Sequence, residues 1–249
     1  MLRFLIADLK RALFSYRFLI SCVAYGLLLC LNSPEEKYNS AALNFYVMYN
    51  AGFFNMFFIC AAIPFSGCFA ADAKNGFLPY AIIRVGLKKY SVAKIVVTYI
   101  SAFAVTSIGS SILVLFLCCR SPLEIEFFVD FWGYDALLGN QQYLQYFFTR
   151  ITLTSSIGAA FAVIGLYLSS FNEQELTAAI SPIVIYYVYN EFANWGIIPR
   201  QLNISYLLFA PIDDNKSISM NVLYVIFFSL FITFSFGILF FLKIQRRRR

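Results

Sequence analysis

AADAKNGFLPYAIIRVGLKKYSVAK, residues 70–94, is a long and strongly basic polar interruption between two uncharged hydrophobic runs. It carries Lys74, Arg84, Lys88, Lys89 and Lys94 against a single acid, Asp72. Within it, residues 78–87 are apolar enough to lie along a membrane face or against another protein. The runs on either side, 38–71 and 95–119, hold no charged residue at all. A basic segment between two such runs reads as a cytoplasmic connection between membrane spans.

The rest of the chain fits that reading. Of its 249 residues, 61% are hydrophobic, 19% aromatic and only 13% charged. A soluble domain is about 45–50% apolar and about 25% charged. A core of this size cannot hide the excess, so lipid must be the solvent for much of the surface. The net charge of +6 then concerns topology and anionic lipid rather than nucleic acid.

The predicted fold class is all-α, with six transmembrane helices. Residues 1–16 place Leu2, Leu5, Ile6, Leu9 and Leu13 at helical spacing, the pattern of an amphipathic helix lying in the interface. Spans are expected over 18–31, 50–69, 95–119, 151–172, 176–189 and 222–242. The first and fifth are short of the roughly 20 residues a bilayer needs. Pro64 is expected to kink the second. Gly158, Ala159, Ala160, Ala162 and Gly165 give the fourth a small-residue face for close helix packing. Residues 120–146 and 190–219 read as extracellular loops. The apolar pieces 195–199 and 204–210 are too short to cross, which points to a re-entrant or interfacial segment before the last span.

Charge sets the orientation. With six spans, Arg3, Lys10, Arg11, Arg17, the five cations of 70–94, Lys243 and the arginines 246–249 share one side. Lys37, Arg120, Arg150, Arg200 and Lys216 share the other. By the positive-inside rule the richer side, with both termini, is cytoplasmic. An odd number of spans would put the arginine tail outside.

The chain has no histidine, which removes the commonest general base and most metal ligands. Its six cysteines lie in apolar runs without CxxC spacing and are expected to be free, buried thiols. It has no GxxxxGK[ST] and no GxGxxG opening a helix, so it binds no nucleotide by those routes. No catalytic residue, metal site or cofactor is expected on this chain. The predicted spans hold no ionisable residue, whereas an ion-coupled carrier places such groups at mid-membrane. Energy for transport would come from elsewhere.

This layout resembles the ABC-2 type permease family, the membrane half of many bacterial ABC exporters. The resemblance covers most of the chain. The family has an N-terminal interfacial helix, six spans and a cytoplasmic loop between spans two and three. Asp72 stands where the family has Glu, Gly76 matches its glycine, and Arg84, Tyr90 and Lys94 match the pattern leading into span three. Residues 205–211, SYLLFAP, are similar to the family's run before a proline between spans five and six.

The resemblance implies a separate ATPase subunit, carrying ATP and Mg, that docks on the loop and on the N-terminal helix. It implies two permease subunits, alike or different, with a peptide, drug or lipid-like substrate passing between them. On this reading Asp72, Gly76, Phe77, Leu78, Tyr80, Arg84, Lys88, Lys89, Tyr90 and Lys94 contact the ATPase. The residues alone leave a second use open: basic groups beside spans also set topology and touch anionic lipid. Asn50, Asn55, Tyr186, Tyr187 and Asn190 are candidates for a substrate path, with hydrogen bonding between helices as their other use. Two other functions stand beside the permease: a membrane interaction or assembly protein that transports nothing, and an ion-coupled secondary transporter.

Overall fold

The computed structural model describes residues 2–33, 39–49, 55–125, 133–172, 174–209 and 217–247. They form helices and connecting turns, with no strand among the described residues. In order these are α1 (Leu2–Leu13), α2 (Tyr16–Leu31), α3 (Ala41–Tyr49), α4 (Phe57–Ala62), α5 (Cys68–Lys74) and α6 (Phe77–Val85). There follow α7 (Leu87–Arg120), α8 (Ala136–Gly139), α9 (Tyr143–Ser169), α10 (Glu175–Asn194), α11 (Ile204–Phe209) and α12 (Ile218–Arg247).

Three helices, α7, α9 and α12, are long and apolar enough to cross a membrane. The pair α1 and α2 passes the same test together but is bent by 48° at its junction. Ser15 makes that bend. Its hydroxyl donates to the Ala12 carbonyl at 2.8 Å and accepts from Phe18 N–H at 3.1 Å, ending one helix and capping the next. The protein is therefore a helical membrane protein.

The helices pack around α9, whose central turns are buried on every side. The small-residue face expected there is present, with Ala159 and Ala162 fully buried against Ala61, Ala62 and Ala102. Gly165 explains how α10 packs so closely. Pro182 has no N–H, so the Ala178 carbonyl four residues back loses its helical partner. That carbonyl lies against Gly165, where a Cβ would stand 2.4 Å from the oxygen.

Contacts fix the direction of each helix. Phe4 meets Tyr90 and Tyr25 meets Gly109, so α1 and α2 run parallel to α7. Ser107 bonds Ser155, and Gly158 packs on Thr106, so α9 runs antiparallel. Tyr99 bonds Ser229 and Gly237 packs on Ile95, so α12 is antiparallel as well. Phe4, Leu5 and Leu9 of α1 join Phe240 and Ile244 of α12 in one cluster. Both terminal helices thus meet at one end of the bundle.

Several expected boundaries shift. Residues 70–94, expected as a loop, are helical: they comprise most of α5, all of α6 and the first two turns of α7. Two glycines make the corners. Gly76 has φ 67° and Gly86 has φ 85°, conformations open to glycine at little cost. The second expected span is broken rather than kinked. α4 and α5 are short, with turns at 63–67 around Pro64, and residues 50–54 lie outside the described ones. The fifth reaches Asn194 and has 20 residues. Within 120–146, α8 and the first turn of α9 interrupt the expected loop, and within 190–219 α11 turns back and buries Leu207 and Leu208 in the core. Cys118 and Cys119 are exposed, not buried, and Cys30 is half-buried.

Candidate functional site: two buried charge clusters and an exposed basic helix

α7 begins eight residues earlier than the charge-free run 95–119, because residues 87–94 continue its helix. That shift carries Lys94 two turns inside, onto the face turned toward α1 and α5. Its side chain is 1% exposed. Its Nζ lies 2.9 Å from Asp8 Oδ2 and 3.0 Å from Asp72 Oδ2, and 5.0 Å from the centre of the Phe65 ring. Tyr90 Oη donates to Asp72 Oδ2 at 2.9 Å. Arg11 Nη1 donates to Asp72 Oδ1 at 3.2 Å from the half-exposed rim. Two cations and two carboxylates balance. Although partial burial of Arg11 opposes its charge, the Asp72 carboxylate holds its pKa above the ordinary value.

Asp72, Tyr90 and Lys94 were expected on a docking surface. Instead they face inward and bind one another, and with Asp8 and Arg11 they join α1, α5 and α7. Their physical role is internal: each charged group has a partner and none is presented to solvent.

A second cluster lies at the far end. α9 also starts before its expected boundary, at Tyr143, so Arg150 lies two turns inside it and is fully buried. Its guanidinium pairs with Asp135 and donates to the Leu208 carbonyl of α11 at 2.5 Å. Tyr146, Tyr49 and Tyr134 surround it, with ring centres 5.5, 5.6 and 5.8 Å from the guanidinium carbon. Tyr49 Oη in turn donates to the Arg150 carbonyl at 2.6 Å. This cage ties α3, the turn before α8, α9 and α11 together.

The two clusters bracket a slab. The Ser107–Ser155 contact puts Arg150 level with Ile112 on α7, eighteen residues from Lys94. At 1.5 Å per residue that is about 27 Å. Along α7, α9 and α12 no charged residue lies between these levels. The hydrocarbon core of a bilayer is about 30 Å thick. Both cations therefore sit at the edges of an apolar layer, and hydroxyls within it, such as those of Thr98 and Thr106, bond back to their own helix.

The exposed residues of 70–94 are a separate surface. Phe77, Tyr80 and Ile83 are 50, 73 and 77% exposed on α6. Gly76, Arg84, Lys88 and Lys89 are exposed beside them, while Leu78 is half-buried. Among the described residues, Arg84, Lys88 and Lys89 make no ion pair with an acid. Tyr80, Arg84 and Lys89 also line a groove with Arg3, Phe4 and Arg11 of about 610 Å³.

The substrate-path candidates do not form one lining. Tyr186 turns into the core against Phe58 and Phe161, its hydroxyl 3.1 Å from Ser205 Oγ. Ser205 also donates to Asn190 Oδ1 at 2.6 Å, so both residues fasten α11 to α10. Tyr187 points outward and is 49% exposed. Asn55 is half-buried ahead of α4, and Asn50 lies outside the described residues. Among the described residues, no three His, Cys, Asp or Glu side chains come together as a metal site requires.

Asp8 was missed in the sequence. The signal was there: an acid four residues from both Phe4 and Ala12, on the buried stripe of an amphipathic helix, needs a partner. Compared with known proteins, the chain matches no family model, no curated protein and no solved structure.

Proposed function

We propose that this protein is the membrane permease subunit of an ABC-2 type exporter, working as a dimer with a separate ATPase that carries ATP and Mg. The chain would cross the membrane six times, by α2, the broken α3–α5 passage, α7, α9, α10 and α12. The helix directions and the charge-poor slab support that count. Both ends would be cytoplasmic, where the larger number of basic residues falls.

The observation that carries the reading is α6. It is a short helix held between two glycine corners at the terminal end of the bundle. Its apolar residues Phe77, Tyr80 and Ile83 are bare, with Arg84, Lys88 and Lys89 beside them. Exposed aromatic and aliphatic groups next to unpaired cations make a surface suited to an acidic, grooved partner. α6 leads through Gly86 straight into α7, so a push on it reaches the longest helix. The buried Asp8–Lys94–Asp72 cluster would pass the same push to α1. ATP binding on the partner would then shift the two permeases between inward and outward forms. The substrate would be a peptide, a drug or a lipid-like molecule.

The test is purification of the tagged chain from the membranes of the cells that make it. The reading expects a soluble ATPase to copurify and to be lost with the double substitution Ile83→Glu, Lys88→Glu. An ATPase that stays bound to the double variant would remove α6 as the docking element. Substrate efflux driven by an ion gradient, without ATP, would replace the permease with a secondary carrier.

A further inference from the structure

We propose that the groove between α1, α6 and the start of α7 is a binding site for an anionic membrane phospholipid. Arg3, Arg84 and Lys89 line it from all three helices, and none of them has an anionic partner among the described residues. The one acid in the lining, Asp8, is already engaged by Lys94. Arg11, also in the lining, is shared with Asp72. Three unpaired positive charges therefore face a single cavity of about 610 Å³.

Depth favours a lipid over an acidic peptide. Lys89 lies five residues of α7 outside Lys94, about 7.5 Å beyond the edge of the apolar slab. The headgroup layers of a bilayer take up about 5–7 Å on each side of the hydrocarbon. The Lys89 backbone is thus level with the outer edge of the headgroup layer, within reach of the lipid phosphates by its long side chain. Phe4, Ala7, Ala81 and Val85 supply an apolar wall for glycerol and the first methylenes, and the exposed Tyr80 ring suits the interface. α1 and α6 would then be bridged by the phosphate through Arg3, Arg84 and Lys89, which leaves Ile83 and Lys88, outside the groove, to face the ATPase. This requires that the chain lie in a membrane. It does not require the ATPase.

The whole chain is purified, stripped of lipid in detergent, and titrated with phosphatidylglycerol or phosphatidylcholine under native mass spectrometry. The expected result is retained phosphatidylglycerol, with no saturable binding of phosphatidylcholine. Each surface cation contributes about fivefold to binding an anionic lipid. The triple variant Arg3→Gln, Arg84→Gln, Lys89→Gln should therefore lose affinity on the order of a hundredfold. A matched control, Lys88→Gln, Lys243→Gln, Arg246→Gln, removes the same charge outside the groove and should lose less than tenfold. Circular dichroism of both variants in the same detergent shows that each is folded.

Equal losses in the two variants would mean a diffuse charge effect and would overturn the site. Unchanged binding in the groove variant would also overturn it. So would an acidic peptide that binds the groove and is not displaced by phosphatidylglycerol, since that outcome makes it a protein-docking surface. No ATPase is present in any arm, so the permease reading stands or falls separately.

Discussion

Lys94 and Arg150 are both buried cations at the margins of one apolar layer, yet they are held in different ways. Lys94 is a compact charge between two carboxylates from two other helices, with Arg11 wet at the rim. Arg150 has one carboxylate, one carbonyl and three tyrosine rings. The first is a balanced ionic knot between separate pieces of chain. The second is a planar group in an aromatic cage. A knot of point charges tolerates small movements of its members, whereas a cage requires shape. The end that would meet a moving partner has the knot, and the far end has the cage.

The largest expected effect comes from breaking the knot. Lys94→Met leaves the buried Asp8 without a cation and Asp72 with only Arg11 at the rim, and should cost about 3–5 kcal/mol in unfolding by SDS titration. Adding Asp8→Asn to that variant should recover most of the loss, because the Arg11–Asp72 pair remains and no charge is left uncompensated. No recovery would mean that the cluster holds α1 by geometry rather than by charge balance.

Arg150 sharpens the contrast. Arg150→Met should cost a similar amount, about 3–5 kcal/mol. Arg150→Lys should rescue little, since lysine lacks the planar fork that meets Asp135 and Leu208 and stacks on the rings. The converse substitution, Lys94→Arg, should keep more than half of the stability. If both conservative swaps behave alike, the difference between knot and cage is not real.

Next in size is Gly165→Ala. Its Cβ would meet the backbone oxygen of Ala178, which cannot rotate away, so about 1–3 kcal/mol and a displaced α10 are expected. Gly86→Ala meets no atom within 4 Å, so its cost, about 1–3 kcal/mol, is backbone strain alone. The smallest effect belongs to Arg17→Gln. Its pair with Glu175 is about two-fifths exposed on both sides, and should contribute under about 1 kcal/mol, reduced further by salt.

Much of this architecture was legible. Lipid as solvent follows from composition. The small-residue face of α9, the amphipathic α1 and the special place of 70–94 could all be read from spacing. The clusters were not legible, for a common reason. Lys94 and Arg150 each border an uncharged run, and a boundary drawn at the first apolar residue leaves them outside. Helices do not stop where hydropathy changes. They stop at caps and glycines, and α7 runs back to Gly86. Asp8 and Asp72 look like ordinary interfacial acids until the fold brings α1, α5 and α7 together. The broken passage near Pro64 was seen only as a kink, because nothing in the apolar pattern of 55–74 marks where the turns fall.

The account rests on the charge-poor slab between the levels of Lys94 and Arg150. Spin labels can measure it directly, at lipid-facing positions of α7 on a cysteine-free background. Val92, Ile100, Ile108 and Leu115 are all exposed and lie along one helix. Collision with oxygen against a water-soluble nickel complex reports the depth of each. The account predicts that Ile100 and Ile108 lie deepest, with Val92 and Leu115 near the two surfaces. A depth that rises steadily from Val92 to Leu115, or labels that all contact water equally, would contradict it.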